Sequence, residues 1–103
     1  MTAYILTAEA ESDLRSVIRY MRAQWGAAHV RRYVWGLERG ISTLAEGRGS
    51  FKDMTALYPA LRMARCQHHY VFCLPREHAP ALIVAILHER MDLLQRLVDR
   101  LNE

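Results

Sequence analysis

Four residues near the carboxyl end, His88, Glu89, Arg90 and Asp92, are of types that could carry acid–base and phosphate chemistry. They lie in the stretch ILHERMDLLQRL, between two apolar patterns. A histidine can act as a general base, an arginine can bind a phosphate, and a carboxylate can orient the base. The same residues could instead form the polar end of a strand followed by the cap of a helix.

A wider set of side chains, Arg62, Tyr70, His88 and Arg90, could cleave RNA if the strands that carry them brought them together. Cleavage through the 2'-hydroxyl needs a base for that hydroxyl, an acid for the leaving oxygen and cations that stabilise the phosphorane. The set contains residue types for each role. A single sequence does not establish that the four converge, so RNA cleavage is a hypothesis.

Histidines and cysteines in the middle of the chain are metal-ligand types, but their spacing matches no zinc signature. They are Cys66, His68, His69 and Cys73, with His88 further along the chain. If His68 and His69 both lie in a strand, they point to opposite faces of the sheet and cannot hold one ion together. We therefore expect no metal and no cofactor, and we expect the cysteines to be free buried thiols.

Three arginines, Arg15, Arg19 and Arg22, recur at positions i, i+4 and i+7 and share one face of a predicted helix. Such a strip is ordinarily a solvated face. It could also bind an acidic segment of a partner. Trp35 favours that second interpretation, because a tryptophan off the apolar stripe and beside arginines has the composition of an interface hot spot. Trp35 could instead pack under the connection that follows Leu44.

The apolar spacing predicts two long helices near the amino end. YILT at residues 4–7 is typical of a short strand, Thr7 can cap a helix, and the periodicity that follows predicts a helix from Ala8 to Trp25. Its apolar stripe is Leu14, Val17, Ile18, Met21 and Trp25, and the next stripe is Val30, Val34, Leu37, Ile41 and Leu44. Gly26 ends the first helix. Two such helices joined by two or three residues form an antiparallel hairpin.

The second half of the chain is typical of strands. Three runs, LRMARC, HHYVFCL and PALIVAILH, follow a connection that contains Gly47, Gly49 and Pro59. Consecutive apolar residues in the last run indicate a strand covered on both faces. Asp92 and Gln95 resemble a capping pair, and a stripe at the carboxyl end predicts a short helix. That stripe is Leu94, Leu97, Val98 and Leu101. The sequence thus predicts one α+β domain, residues 1–103, with a helical hairpin on a small antiparallel sheet.

The composition is that of a globular protein, with 103 residues, 51% hydrophobic and 24% charged. The longest apolar stretch, residues 79–87, is too short to cross a bilayer, and the first residues lack the pattern of a secretory signal. We therefore expect a cytoplasmic protein. Lys52 is the single lysine among 14 basic residues. The net charge of +3 permits a nucleic-acid or acidic protein partner but is too small to establish one.

Three stretches, in this order and spacing, closely resemble the ParE toxins of the ParD/ParE plasmid-stabilisation systems, within the RelE/ParE superfamily. They are YILTAEAESDLRSVIRYMRAQWG at the amino end, PALRMARCQHHYVFCLP in the middle and ILHERMD near the carboxyl end. The resemblance spans nearly the whole chain. The superfamily fold, a helical hairpin packed on a small antiparallel sheet, is similar to the one that the pattern predicts.

The resemblance implies a toxin that poisons DNA gyrase, traps its cleaved DNA complex and blocks replication, without an active site of its own. It implies a ParD antitoxin whose often acidic, disordered carboxyl-terminal region folds over the toxin. We expect Arg15, Arg19, Arg22 and Trp35 to bind that antitoxin. We expect no membrane partner and no sequence-specific nucleic-acid contact. The toxin could form a homo-oligomer or a hetero-oligomer with the antitoxin.

The RNA-cleaving branch of the superfamily keeps catalytic lysines, arginines and a terminal tyrosine or histidine around the sheet. Arg62 and His88 lie at comparable places here, but Lys52 lies in the connection and no tyrosine follows His88. We therefore expect a protein that is not an enzyme and has no catalytic residues, with Arg62, His88 and Arg90 as candidate target-binding residues. A ribosome-dependent mRNA endonuclease of the RelE type is the alternative.

Overall fold

The computed structural model describes residues 3–89 and 92–102. Its elements in chain order are β1 (Tyr4–Leu6), α1 (Ala8–Trp25), α2 (Ala27–Ala45), β2 (Lys52–Asp53), β3 (Arg62–Cys66), β4 (His69–Leu74), β5 (Ala81–His88) and α3 (Leu93–Leu101). The strands form one sheet in the order β1-β5-β4-β3-β2. The predicted α+β class with its hairpin and terminal helix is confirmed. No helix of the described part is long and apolar enough to span a bilayer.

The sheet is mixed, because β1 lies parallel to β5 while the other neighbouring strands pair antiparallel. The sequence prediction of an antiparallel sheet therefore holds for β2 to β5. The two-residue strand β2 was not predicted, since its residues, Lys52 and Asp53, are both exposed and carry no apolar alternation.

Both ends of α1 follow the predicted signals. The Thr7 hydroxyl accepts a hydrogen bond from the Ala10 amide at 3.2 Å, so Thr7 is the N-cap. Gly26, with φ of 84°, ends α1 and immediately precedes α2. The connection is thus one residue, shorter than the two or three predicted, because a glycine tolerates a positive φ that reverses the chain at once.

The helical hairpin packs on one face of the sheet. Its buried core brings Leu37 and Ile41 of α2 against Val71, Cys73 and Ile83 of the strands. Cys66 and Cys73 are free and buried, as predicted. Burial raises the pKa of the Cys66 thiol and raises the pKa of Cys73 to about 11. Both cysteines are therefore protonated, apolar core residues at neutral pH rather than nucleophiles.

The terminal helix α3 covers the opposite face of the sheet, where Leu97 is buried with Phe72 and Leu87. The Asp92 carboxylate accepts from the Gln95 amide at 3.3 Å, so the predicted cap is confirmed. The predicted stripe is wrong at Leu94, which is 60% exposed. The residues that pack on the sheet recur every fourth position: Leu93, Leu97 and Leu101. A four-residue repeat fits one face of a short helix as well as the predicted pattern does, so spacing alone did not choose between them.

Beyond the end of β1, side chains form the hydrogen bonds to the edge of β5 that a longer neighbouring strand would form. β1 pairs only with the first three residues of β5, Ala81 to Ile83. Beyond them, the Asp13 carboxylate of α1 accepts a hydrogen bond from the Ile86 amide at 2.9 Å. Arg100 of α3 donates to the Val84 carbonyl at 2.9 Å and to the same carboxylate. The two helices on opposite faces therefore meet around this edge.

Candidate functional site

The three predicted arginines of α1 lie together on an exposed face. Arg15, Arg19 and Arg22 line a shallow groove of about 430 Å³, and Ile18 and Ala23 supply its apolar part. Arg15 also forms an exposed ion pair with Glu11 at 3.0 Å, one helical turn earlier. Guanidinium groups around an apolar strip suit a segment that carries both carboxylates and apolar side chains.

Trp35 of α2 is 61% exposed, so it does not pack under the connection after Leu44. The Arg39 guanidinium lies over its ring, 4.8 Å from the centroid. Arg31 and Arg32 are also exposed and stand four and three residues before Trp35, on the same side of the helix. The sequence contained these three arginines at positions i−4, i−3 and i+4 from Trp35, but the prediction did not include them.

Trp25 is a second exposed tryptophan at the tip of the hairpin. It was predicted to belong to the apolar stripe of α1, but it is 62% exposed and stacks on the His29 ring at 5.4 Å. Trp25 is the last residue of α1, and α2 begins directly after Gly26 and runs back over the sheet. The end of the α1 stripe therefore has no element to pack against within the described residues. The hairpin thus offers solvent two tryptophans and a series of arginines.

A hydrogen-bonded cluster joins α2 to the turn between β3 and β4. The Tyr33 hydroxyl accepts from the His68 amide at 3.0 Å and lies 2.6 Å from His69 Nδ1. The hydroxyl thus bridges the two histidines, and the direction of its bond with Nδ1 depends on the His69 tautomer. The Gln67 side-chain amide donates to the Tyr33 carbonyl at 2.7 Å. These bonds fix the turn against the helix.

His69 is the buried polar residue of the core within the described part of the chain. Its pKa is lowered to about 4, chiefly by burial and also by the neighbouring His88 and His68, while Glu89 opposes the shift. Burial likewise raises the pKa of Tyr33. The pair is therefore uncharged at neutral pH. A histidine of such low basicity is poorly matched to general acid–base catalysis near pH 7.

Glu89, from the polar stretch near the carboxyl end, links the same turn to the end of β5. Its carboxylate lies 2.6 Å from the Arg65 guanidinium and 3.3 Å from His68 Nδ1. Its amide donates to the His68 carbonyl at 3.1 Å. The polar end of β5 and the cap at Asp92 thus serve the fold, which is the second of the two interpretations of this stretch.

Arg62, Tyr70 and His88, the described members of the set considered for RNA cleavage, do not converge. Arg62 stands at the far end of β3, with its guanidinium 4.8 Å from the Phe51 ring, whereas His88 packs on His69 at 5.2 Å. The register places His88 beside His69, which pairs with Cys66, so the Arg62 and His88 backbones are about 16 Å apart at usual strand spacings.

Tyr70 packs with the cluster on the α3 side of the sheet, whereas Arg62 pairs with Cys73 of the cluster on the hairpin side. The remaining member of the set, Arg90, lies outside the described residues. Within residues 3–89 and 92–102, no three His, Cys, Asp or Glu side chains are arranged to hold a metal ion. The roles assigned to Arg62, His88 and Arg90 stay predictions.

Comparison with known proteins gives three similarities. A family model described as the ParE toxin of the type II toxin–antitoxin system, parDE, matches residues 4–93. A relative named Toxin ParE, from Escherichia coli, is 73% identical over 102 residues, which cover 99% of each chain. A solved structure titled chromosomal ParDE TA system from P. aeruginosa aligns with a TM-score of 0.67 at 14% identity, covering 85% of this chain and 96% of the other. At that identity the last similarity shows the fold alone.

Proposed function

This chain belongs to the ParE toxin family of type II toxin–antitoxin systems, and we propose that it acts by poisoning DNA gyrase. In this proposal the toxin stabilises the cleaved DNA complex of gyrase, which blocks replication. The observation that carries it is the near full-length identity of 73% with a protein named Toxin ParE. The dispersion of Arg62, Tyr70 and His88 supports a mechanism by binding rather than by catalysis.

The second part of the proposal is neutralisation by a ParD-type antitoxin that docks on the helical hairpin. The exposed arginines of α1 and Trp35 of α2 support it, because an acidic segment that folds on binding gains charge-assisted bonds and buries aromatic surface. Toxin and antitoxin would then form a hetero-oligomer in the cytoplasm. Loss of a plasmid would end the supply of antitoxin, and released toxin would act on the cell, which maintains the plasmid.

A gyrase cleavage assay tests the proposed target. Purified toxin is incubated with gyrase, ATP and supercoiled plasmid. Detergent then traps the cleaved complexes, protease removes the protein, and the amount of linear DNA is measured. We expect linear DNA to rise with toxin concentration and to fall again when a ParD antitoxin is added first. Unchanged gyrase products at a large excess of toxin would contradict the proposal.

The same toxin preparation is added to a translation reaction as a test of RNA cleavage. We expect transcripts to stay intact. The double variant His88→Ala with Arg90→Ala should weaken gyrase poisoning if these residues contact the target. A defect of the variant in codon-linked RNA cleavage would instead establish the endonuclease alternative.

A further inference from the structure

The charges of the chain are segregated toward the turn of the helical hairpin. Residues 14–37, which we call the hairpin end, contain five arginines and no aspartate or glutamate. The other nine of the 14 basic residues and all 11 acidic residues lie elsewhere in the chain. The net charge of +3 therefore combines +5 at the hairpin end with −2 over the rest of the protein. A modest net charge thus accompanies a strongly basic region, which attracts anions.

All five arginines of the hairpin end are exposed. They are Arg15, Arg19 and Arg22 on α1, and Arg31 and Arg32 on α2. Because both helices start from the turn at Gly26, the region without acids extends about 17 Å along each of them at 1.5 Å per residue. The next acid along α1, Asp13, is paired with Arg100 and so weakens the positive field little.

The arginines of α1 have a spacing that suits a nucleic-acid strand. From Arg15 to Arg22 the helix rises about 10.5 Å, and one strand of duplex DNA carries about three phosphates over that length of its axis. The planar guanidinium group matches the geometry of a phosphate. Arg15 also pairs with Glu11, but this ion pair is exposed, so a phosphate can take the place of the carboxylate at small cost.

Exposed aromatic rings lie among these arginines. Tyr20, Trp25 and Trp35 are 65%, 62% and 61% exposed. Trp25 stacks on His29, and the Arg39 guanidinium lies over Trp35, so each tryptophan is held in place while most of it stays open to solvent. Unpaired bases stack on rings of this kind, and basic residues interleaved with aromatic ones are typical of surfaces that bind nucleic acids.

An anionic membrane is another partner that arginines and tryptophans attract. A helix that lies in a membrane interface needs a free apolar face. Here the apolar faces of both helices are covered by the sheet, with Met21, Val30 and Leu37 buried. The observations therefore favour a nucleic acid, whose binding needs only charges and rings at the surface.

We propose that the hairpin end binds the phosphate backbone of DNA independently of its sequence, and that its exposed rings stack on unpaired bases. The inference goes beyond the proposed action on gyrase, because it gives the toxin a contact with the DNA itself. In the proposed gyrase complex, that DNA is the broken duplex. The arginines of α1 would then serve DNA in the free toxin and the antitoxin in the neutralised complex.

Tryptophan fluorescence locates the contact in the unaltered protein. Trp25 and Trp35 are the two tryptophans of the chain, and both lie in the hairpin end. A mixed-sequence DNA strand, added to free toxin without gyrase, should quench this fluorescence because its bases stack on the rings. A blunt duplex of the same sequence should bind with less quenching, since its bases are already stacked. A single strand that binds without changing the fluorescence would contact another surface and overturn the proposal.

The salt dependence of binding gives the number of phosphates contacted. Anisotropy of a labelled duplex, measured at several salt concentrations, should give a slope of log affinity against log salt of about −3 to −4.5, as three to five contacts predict. Arg19→Ala and Arg31→Ala should each make the slope shallower by about 1. Arg96→Ala, at an exposed residue of α3, should leave the slope unchanged.

A matched pair of double variants separates the position of the charges from their sum. Arg19→Glu with Arg31→Glu and Arg76→Glu with Arg96→Glu change the net charge equally, and all four arginines are exposed. The first variant should bind DNA at least about tenfold more weakly, whereas the second should bind nearly as tightly as the unaltered protein. Circular dichroism verifies that both keep the fold. Equal losses would mean that net charge alone attracts DNA, which would overturn the site.

The outcomes distinguish this inference from the proposed function. Gyrase poisoning by a toxin that binds no DNA at low salt would overturn the inference and leave the proposed function intact. DNA binding through the hairpin end without any effect on gyrase would do the reverse. Binding to vesicles of anionic lipid but not to DNA would assign the surface to a membrane instead.

Discussion

The carboxylate of Asp13 and the guanidinium of Arg100, 87 residues apart in the chain, form a two-point ion pair at 2.9 and 3.2 Å. Both side chains are largely buried, with 15% and 21% exposed. The pair also bonds the Ile86 amide and the Val84 carbonyl, which β1 is too short to reach. The ion pair therefore takes the place of further strand pairing and ties α1, β5 and α3 together.

Replacing Asp13 with alanine should lower the free energy of unfolding by about 2 to 4 kcal/mol. The change leaves the Arg100 charge and the Ile86 amide without their partner in a poorly solvated place. Urea denaturation followed by circular dichroism measures the loss. Glu11→Ala is the matched control, because it breaks an exposed ion pair on the same helix and should cost about 0.5 kcal/mol or less. Equal losses in the two variants would show that the Asp13 contacts at the β5 edge stabilise the fold no more than an exposed ion pair does.

Tyr33→Phe should destabilise the fold by about 1 to 2 kcal/mol. The variant keeps the ring but leaves His69 Nδ1 and the His68 amide without the hydroxyl between them. Thermal unfolding provides the measurement. Tyr20→Phe removes a hydroxyl from a side chain that is 65% exposed and should leave the melting temperature unchanged. An unchanged melting temperature in the Tyr33→Phe variant would mean that water replaces the hydroxyl.

The free energy of unfolding should decrease as the pH is lowered, because His69 is buried in its neutral form. Its pKa is about 4 in the folded protein and 6.5 when exposed, so the unfolded chain takes up this proton first as the pH falls. The contribution is complete above about pH 6.5 and is lost progressively toward pH 4, at about 3 kcal/mol in all.

The measurement is the free energy of unfolding across that pH range for the unaltered protein and for His69→Gln, which keeps a hydrogen-bonding side chain for the Tyr33 hydroxyl. The glutamine variant should show the smaller slope. His78→Gln, at a side chain that is 94% exposed, should keep the full slope. A slope that is the same in all three proteins would assign the acid sensitivity to carboxylates instead.

The hairpin surface should carry part of the antitoxin affinity. The double variant Arg19→Glu with Trp35→Ala reverses one charge and removes one exposed aromatic ring, so we expect a loss of about 2 kcal/mol or more in binding a ParD antitoxin. Titration calorimetry measures it, and circular dichroism of the free variant verifies that the fold is kept. Unchanged affinity would place the antitoxin on another surface.

The helices and the three long strands could be predicted because their signals are local. The Thr7 cap, the Gly26 stop and the apolar run of β5 each act within a few residues. The parallel pairing of β1 with β5 could not be predicted, because the two strands are far apart in the sequence and no local sequence pattern indicates which strands pair. Leu94 and Trp25 were assigned to the core on spacing alone, but Leu94 lies off the face of α3 that packs on the sheet and Trp25 lies at the tip of the hairpin, so both are exposed.

The candidate site was predicted in part. That Arg15, Arg19 and Arg22 share a face follows from helical spacing, and the structure places them in one groove. The Tyr33–His69 bond joins residues of different elements, so only tertiary packing reveals it. Whether a set of side chains such as Arg62 and His88 converges depends on strand register, which a single sequence does not specify.

The parallel pairing of the first strand with a late one also orders events during synthesis. Ala81 leaves the ribosome 77 residues after its neighbour Tyr4, a delay of about 4 to 15 s at about 5 to 20 residues per second. The helical hairpin, whose contacts are local, can form within that interval. The arginine and tryptophan surface proposed for the antitoxin therefore lies in a part of the chain that is synthesised several seconds before the sheet can close.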